Sequence, residues 1–366
     1  MGCTGAQASA VGTGPVGPGS GLGFGAVGAV GLPAFVHALL ELLLRLAERP
    51  GEFGELAATE EQQDDDEYHN PFWTHARHAT GTHRPAHRRR ASAPRAGPVW
   101  DAAPVLECVV NISEGVDLQT VAAIADRAGP DLLDVHTDAH HNRSVLTLVG
   151  ETAPRAVTAE ALHRLDLRHH AGVHPRIGVV DVVPFVPLGD ATLDDAVAAR
   201  DRFCRWAAAE LALPCFAYGP ERSLPDVRRG AFTTLTPTTG PARPDPRAGA
   251  VAVGARPVLV AYNVWLAEPD LDRAREVAAA VRHPHPRALG SALTERVQVS
   301  MNLVAPHELG PAPATDRVAA LVPVAGCELV GLVPRAVLDA VPRERWTELD
   351  LDEDRTIEAR LARRGG

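Results

Sequence analysis

The chain has 366 residues, of which 45% are hydrophobic and 22% charged, and its formal charge at pH 7 is −10. This composition is typical of a globular protein with a real core, and it indicates neither wholesale disorder nor a membrane protein. The negative charge argues against nonspecific nucleic-acid binding, because that binding depends on many Lys and Arg side chains at phosphates.

All 36 basic residues are arginine. Arginine suits bidentate recognition of carboxylates, but GC-rich codon usage gives the same bias, and we prefer the codon explanation. The cysteines form no CxxC pair and are predicted to be free thiols in a reducing cytosol; they are Cys3, Cys108, Cys204, Cys215 and Cys327. We therefore expect a cytoplasmic protein with no nucleic-acid or membrane partner. We also expect a homodimer.

Residues 1–104 differ from the rest of the chain and are predicted to form a low-complexity, mostly disordered tail. The apolar run at 32–47 is predicted to form an amphipathic helix that is too short to span a bilayer, and we expect no export signal before it. Two motif-like features are discounted. The GxGxxG pattern at 23–28 lacks a preceding strand, and a Pro- and Arg-rich segment cannot fix a zinc site with its histidines; these are His69, His75, His78, His83 and His87.

From Val105 onward, hydrophobic periodicity predicts regular elements in the order βαββαβ. The strands are expected at 106–113, 132–135, 144–150 and 177–186, and the helices at 117–128 and 154–167. A long helix is predicted at 193–211, capped by Asp190 or Thr192, followed by a short strand at 215–218. The next stretch, 233–247, has little periodicity, and loops of this length are usually functional.

The remaining sequence repeats this order. It predicts a strand at 258–266, a helix at 270–282, a hairpin within 290–304, a short helix from Thr315, a strand at 329–333 and a charged, peripheral helix at 355–364. The predicted fold class is α+β, with two ferredoxin-like (βαββαβ) subdomains at 105–257 and 258–366. Each subdomain is expected to be an antiparallel sheet with helices on one face.

Histidines are concentrated between residues 136 and 174, and the densest stretch runs from His170 to Pro187. Histidine can act as both acid and base near neutral pH, since its unperturbed pKa is about 6.5. A buried strand is predicted directly after His174-Pro175-Arg176, so these side chains should lie at the mouth of a strand. Such a position is held by the scaffold but accessible to solvent, as catalytic residues usually are.

The pattern HxGxHPRxGxxDxxPFxP at 170–187 strongly resembles the signature of the glutamate formiminotransferase family. Six further family-like blocks stand in the same order: ECVVNISEG at 107–115, NRSV at 142–145, RSLP at 222–225, GAVAVGAR at 249–256, VQVSMNL at 297–303 and LVGLVP at 329–334. The resemblance covers about residues 105–345.

This resemblance implies transfer of a formimino group from formiminoglutamate to tetrahydrofolate, in histidine degradation and one-carbon metabolism. The family's catalytic histidine matches His174, tetrahydrofolate is the acceptor co-substrate, and the family needs no metal. The family's folate loop matches a stretch of ten residues, which are Pro241, Ala242, Arg243, Pro244, Asp245, Pro246, Arg247, Ala248, Gly249 and Ala250.

The residues support this chemistry independently. A secondary amine must attack an amidinium carbon, and the leaving nitrogen must be protonated, so one group takes a proton and returns one. A histidine bonded to a carboxylate suits this task, and Asp138 and Asp181 are both candidates to orient His174. Acidic substrates need cations, and Arg143 and Arg176 are the predicted clamps. The substrate-binding candidates are Asn142, Arg143, Arg176, Asp138 and Asp181.

Three alternatives remain open at this point. A zinc hydrolase would use His136, His140, His141, His169 and His170, although no HExxH-type spacing is present. A related transferase acting on formiminoglycine or formylglutamate is the second, since Ala171 and Val173 stand where some relatives have charged residues. A folate-binding paralogue without catalysis is the third.

Overall fold

The computed structural model describes residues 105–172, 175–282, 286–293 and 296–364. The predicted tail with Cys3, and also His174, therefore lie outside the described residues. Within these ranges, no helix is long and apolar enough to cross a membrane.

Six strands form the first sheet, in the order β2-β3-β1-β4-β6-β5. They are β1 (Leu106–Ile112), β2 (Leu132–Asp138), β3 (Arg143–Val149), β4 (Val180–Pro187), β5 (Cys215–Tyr218) and β6 (Val251–Ala255). The first four strands pair antiparallel, but β6 is parallel to both β4 and β5. The prediction of a purely antiparallel sheet is therefore wrong here, because the crossovers after β4 and β5 return the chain in the same direction.

Four helices accompany this sheet: α1 (Leu118–Ala125), α2 (Thr152–Arg164), α3 (Leu193–Leu211) and α4 (Leu224–Gly230). Side chains that bind free backbone amides fix their starts. Thr192 and Asp195 form a capping box at α3, and Ser223 and Asp226 form one at α4. The prediction of α3 is confirmed with its cap at Thr192, whereas α4 was not predicted.

The first core lies between one face of this sheet and helices α1, α2 and α3, where Ile124, Val157 and Phe203 are buried. The packing of α4 is different. Its Val227 contacts a separate cluster that contains Val182 and Phe216. Because neighbouring residues of a strand point to opposite faces, α4 covers the second face of the sheet near β5 and β6.

Four antiparallel strands form the second sheet, in the order β10-β7-β9-β8. They are β7 (Val260–Leu266), β8 (Arg287–Ala292), β9 (Val297–Leu303) and β10 (Val324–Val330). Helices α5 (Leu271–Val281) and α6 (Pro311–Ala319) pack on one face through Val277 and Val318. The opposite face carries polar residues, among them Asn263 and Gln298, which are both buried.

The chain ends with α7 (Arg335–Asp339) and α8 (Ile357–Arg363). Ile357 is the one buried residue of α8 and packs with Leu133 and Val149 of the first sheet, while the other residues of this helix are exposed or half-buried, as expected for a peripheral helix. The last helix thus packs on the first sheet, although it follows the second sheet in the sequence.

The coarse fold prediction is confirmed, since the structure is α+β with two sheets and helices packed on them. The described cysteines, Cys108, Cys204, Cys215 and Cys327, are free and buried.

Candidate functional site

The signature loop (170–178) is joined to the turn between β2 and β3, which we call the hairpin tip (139–142). Asn142 makes the junction. Its Nδ2 donates to Ala171 O at 2.7 Å, and its Oδ1 accepts from Gly115 N at 2.8 Å. His170 Nε2 lies 2.8 Å from Asn142 O, and it carries the proton because a carbonyl can only accept. The predicted substrate residue Asn142 therefore holds two loops together.

Two glycines of the signature permit these close backbone contacts. A Cβ on Gly172 would lie 2.6 Å from His141 O, and one on Gly178 would lie 2.0 Å from Ala250 O. Neither distance leaves room for a carbon atom, so only glycine fits at these positions. The signature loop therefore contacts the hairpin tip at one end and the predicted folate segment at the other.

The predicted folate segment, Pro241–Ala250, has two parts. Residues 241–247 are exposed, whereas Gly249 and Ala250 are buried. The buried part pairs with the signature loop, because Ala248 O accepts from Val179 N and Ala250 N donates to Ile177 O, both at 2.9 Å. The segment is thus fixed beside the signature loop and presents its exposed part to solvent.

The Arg176 guanidinium binds its own loop. Nη1 donates to Gly172 O at 3.0 Å, and Nη2 donates to His170 O at 3.2 Å. Partial burial lowers the pKa of Arg176, and the nearby Asp181 carboxylate opposes this effect. The structure therefore shows Arg176 fixing the backbone that precedes His174.

Asp138 binds His141, three residues later in the same turn. Its Oδ2 lies 2.6 Å from His141 Nδ1, and its Oδ1 accepts from the amides of His140 and His141 at 2.8 and 3.0 Å. Burial would raise the pKa of Asp138, but the hydrogen bonds from His141 and His140 outweigh it and hold that pKa well below its usual range. Asp138 is therefore an anion at neutral pH.

Asp181, the other predicted orienting residue, binds an arginine. Arg228 Nη2 donates to Asp181 Oδ2 at 2.5 Å, and Arg228 Nη1 donates to Pro175 O at 2.5 Å. Asp181 Oδ1 also accepts from Ile177 N at 2.9 Å. Arg228 lies on α4 and therefore connects that helix to both ends of the signature's Pro175–Asp181 stretch.

Arg143 lies opposite Asp138 in the pairing of β2 with β3. Burial lowers the pKa of Arg143, while Asp181 raises it and Arg228 lowers it further. These influences place Arg143 among the other charged residues of the site. Asp138, Arg143, Asp181 and Arg228 form what we call the charge cluster.

The second sheet approaches the first beside this cluster. His136 Nε2 on β2 lies 3.5 Å from Glu328 Oε1 on β10, and Glu328 Oε2 accepts from Asn263 Nδ2 at 2.9 Å. Burial lowers the pKa of His136, and Glu328 opposes this effect. A polar face of the second sheet therefore meets the first sheet beside the candidate site.

A cavity of about 300 Å³ opens beside the junction, lined by Glu114, Thr120, Asn142, Asp166 and His170 among others. Its lining is mixed, since Leu165, Leu167 and Val179 stand beside the polar side chains, and it suits a small molecule with both polar and apolar parts. In the described ranges, no three His, Cys, Asp or Glu side chains converge on a point that could hold a metal ion. The zinc alternative therefore finds no ligand set in those ranges.

The structure brings most of the predicted residues together, and it adds others. The signature loop, which contains Arg176, lies beside several other predicted residues. These are Asp138, Asn142, Arg143, Asp181 and the end of the folate segment. His174 lies outside the described residues. Sequence reasoning missed Arg228 and Glu328 as parts of this region. A signal for Arg228 was present, since the RSLP block at 222–225 directly precedes it.

The fold has two sheets of βαββαβ order, and a loop rich in histidine and arginine lies at the mouth of β4. The family described as "Formiminotransferase domain, N-terminal subdomain" matches residues 105–256. A glutamate formimidoyltransferase of Thermoplasma acidophilum is 31% identical over 297 residues, which cover 70% of this chain and 97% of that relative. The chain therefore belongs to the glutamate formiminotransferase family.

Two further relatives show the extent of the match. A glutamate formimidoyltransferase of Streptococcus pyogenes serotype M1 is 36% identical over 233 residues, which cover 55% of this chain and 78% of the relative. A formimidoyltransferase-cyclodeaminase of Sus scrofa is 33% identical over 281 residues, which cover 64% of this chain and 51% of the relative. The chain thus spans about half the length of the bifunctional relative.

Proposed function

We propose that this protein is a glutamate formimidoyltransferase, which moves the formimino group of formiminoglutamate to tetrahydrofolate in histidine degradation. The observation that carries the proposal is the convergence of the hairpin tip, the charge cluster and the folate segment on the signature loop. This chain covers 78% and 97% of the length of two relatives whose names state this activity.

The reaction needs proton transfer at two nitrogen atoms. The secondary amine of the pterin attacks the amidinium carbon and loses a proton, and the resulting tetrahedral intermediate expels the glutamate nitrogen once that nitrogen is protonated. His174 is the proposed proton-transfer residue. The contacts of Arg176 with Gly172 O and His170 O support this role, because they fix the backbone on the N-terminal side of His174.

The donor carries two carboxylates, which arginine forks bind in fixed geometry. Arg143 and Arg176 are the proposed clamps, and Asn142, Asp138 and Asp181 complete the proposed donor site. The guanidinium has five N–H donors, so Arg176 can bind both the loop carbonyls and a substrate. The folate is proposed to contact the exposed part of the Pro241–Ala250 segment.

The details of the fold, the subdomain boundary and the cellular setting are also part of this proposal. The strand orders β2-β3-β1-β4 and β10-β7-β9-β8 are those of two ferredoxin-like units, the first extended by β5 and β6. We place the subdomain boundary between residues 257 and 258, and we expect a cytoplasmic homodimer without nucleic-acid or membrane partners. Residues 1–104 are proposed to be dispensable, so a chain beginning at Ala102 should keep its fold and turnover.

The test is an activity assay with three donors. Purified protein is given tetrahydrofolate with formiminoglutamate, formiminoglycine or formylglutamate, and the formimino- or methenyl-folate product is followed by its ultraviolet absorbance. We expect the highest kcat/KM with formiminoglutamate. Preference for another donor would identify the related transferase, and folate binding without turnover would identify the non-catalytic paralogue.

A further inference from the structure

The contacts of Asp138 separate into two kinds. Its Oδ1 accepts from two backbone amides and so forms the turn, while its Oδ2 lies 2.6 Å from the His141 ring. One oxygen would be enough to hold a turn of this kind. The ring contact is therefore an additional feature that the turn does not need.

The ring contact orients His141. An anionic carboxylate at Nδ1 keeps the proton on that nitrogen, so Nε2 of the neutral ring is the proton-accepting atom. The His141 side chain is 16% exposed, and the Asp138 side chain is 25% exposed. Two other described histidines are held differently, since His170 binds a backbone carbonyl and His136 lies 3.5 Å from its carboxylate.

The position of His141 is next to the proposed chemistry. A Cβ on Gly172 would lie 2.6 Å from His141 O, and Gly172 is two residues before His174 in the sequence. The neighbouring residue Asn142 binds Ala171 of the same loop. The backbone of His141 is therefore fixed against the signature loop.

We propose that His141, held by Asp138, is a second proton-transfer residue, the base that accepts the proton of the attacking folate amine. This inference rests on the proposed formimino transfer. The amine nitrogen forms a bond to the amidinium carbon and gives its proton to His141 Nε2. The bond from that carbon to the glutamate nitrogen then breaks, its electron pair returns to nitrogen, and His174 supplies the proton that this nitrogen needs. Solvent restores both histidines to their starting states.

Other titratable and charged groups surround His141. The groups on its own hairpin are Asp138, His140, Arg143 and His136, and those on the signature loop are His170 and Arg176. Asp181 and Arg228 lie beyond Arg143, and Glu328 lies on the second sheet. Asp138 is the carboxylate in contact with the ring. Loss of this carboxylate should leave the tautomer and the orientation of the ring unfixed.

The experiment compares three variants of the full chain with wild type: His141→Gln, Asp138→Asn and, as a control on the exposed side of α2, His163→Gln. We expect His141→Gln to lower kcat by about 100-fold or more, the usual scale for a positioned base, and to remove the acidic limb of the profile of kcat/KM against pH. Asp138→Asn keeps an oxygen for the turn but removes the anion at Nδ1, so it should also lower kcat. His163→Gln should leave kcat unchanged.

Three results would overturn the inference. An unchanged acidic limb in His141→Gln together with an unchanged kcat in Asp138→Asn removes His141 from the reaction while the proposed function stands. Equal losses of kcat in His163→Gln and His141→Gln would show that the loss does not come from the contact between Asp138 and the His141 ring. Absence of turnover in wild type with any of the three donors would remove the proposed function and this inference together. If His141→Gln does not fold by circular dichroism, the kcat of Asp138→Asn decides alone.

Discussion

The two sheets share one order of strands and helices, but the first is extended and the second is not. In the first, α3, β5, α4 and β6 follow the common βαββαβ order, and they carry Arg228 and the Ala248–Ala250 stretch to the signature loop. In the second, the sheet ends with β10, and its polar face supplies Asn263 and Glu328. The comparison teaches that the extension completes the charged site with Arg228, whereas the shared unit supplies the scaffold and the other three members of the charge cluster.

The strongest test of this comparison removes the cation that the extension provides. Arg228→Met leaves the Asp181 carboxylate, whose side chain is 3% exposed, without its closest ion-pair partner. Breaking a buried pair in this way costs about 3 kcal/mol. We expect urea denaturation to show that loss in the free energy of unfolding, and Asp181→Asn in the same chain should recover part of it.

The control for Arg228 is an exposed ion pair that joins α3 to the residue before α2, in the same subdomain. Arg202 and Glu151 lie 2.7 Å apart with side chains 46% and 31% exposed, and such pairs contribute less than about 1 kcal/mol. Arg202→Met should therefore have little effect. If both arginine variants lose the same free energy, the charge cluster has no special structural role.

Glu107 on β1 gives the shared unit a pH dependence. Burial raises the pKa of Glu107 from 4.5 to about 7, with Arg256 opposing it and Glu358 adding to it. The folded state therefore binds a proton more tightly than the unfolded state, so stability falls as pH rises between these two values. At about 1.4 kcal/mol for each pH unit, the loss amounts to about 3 kcal/mol above pH 7.

Glu107→Gln removes this dependence because glutamine resembles the protonated form. The variant should be more stable than wild type at pH 8 and about equal to it at pH 4.5. Thermal unfolding measured across this range checks the prediction. A wild-type curve that does not fall between pH 4.5 and 7 would show that the carboxylate is compensated in the folded chain.

Gly178→Ala tests the contact between the signature loop and the extension. Its Cβ would lie 2.0 Å from Ala250 O, and such overpacking lowers the free energy of unfolding by about 1 to 3 kcal/mol. Gly310→Ala in the second unit is the matched control, since its Cβ would meet Pro306 O at 3.2 Å. We expect Gly178→Ala to lose stability and turnover and Gly310→Ala to keep both. Similar melting temperatures for the two variants would mean that the loop shifts without cost.

Arg176→Met is expected to have the smallest effect, on the choice of donor. Removal of one arginine fork should weaken a dicarboxylate more than a monocarboxylate. The preference for formiminoglutamate over formiminoglycine, as a ratio of kcat/KM values at fixed ionic strength, should largely disappear. An unchanged ratio would assign Arg176 to the loop backbone alone.

The sequence predicted the elements with strong local signals. Residues 193–211 form α3 with its cap at Thr192, and 215–218 form β5, because helical periodicity, capping and β-branched or aromatic runs are local properties. The helix α4 was not predicted, since seven residues with three charges show little periodicity. The parallel pairing of β6 was also not predicted, because strand direction depends on the path of the whole crossover.

The charge cluster shows the same division between local and distant contacts. Arg143 and Arg176 stand within recognisable motifs, whereas Arg228 reaches Pro175 across 53 residues of sequence. The Asp138–His141 contact is local, but the surrounding histidines concealed which ring the carboxylate holds. Contacts of these kinds depend on tertiary packing, and composition and spacing do not determine them.

The most direct measurement of the central claim is formimino transfer by wild type and by His174→Ala, each with tetrahydrofolate and formiminoglutamate. Folate binding is measured on the same samples. We predict turnover by wild type, a decrease of about 100-fold or more in kcat for the variant, and unchanged folate affinity. Transfer by His174→Ala at close to the wild-type rate, or none by wild type, would contradict the account.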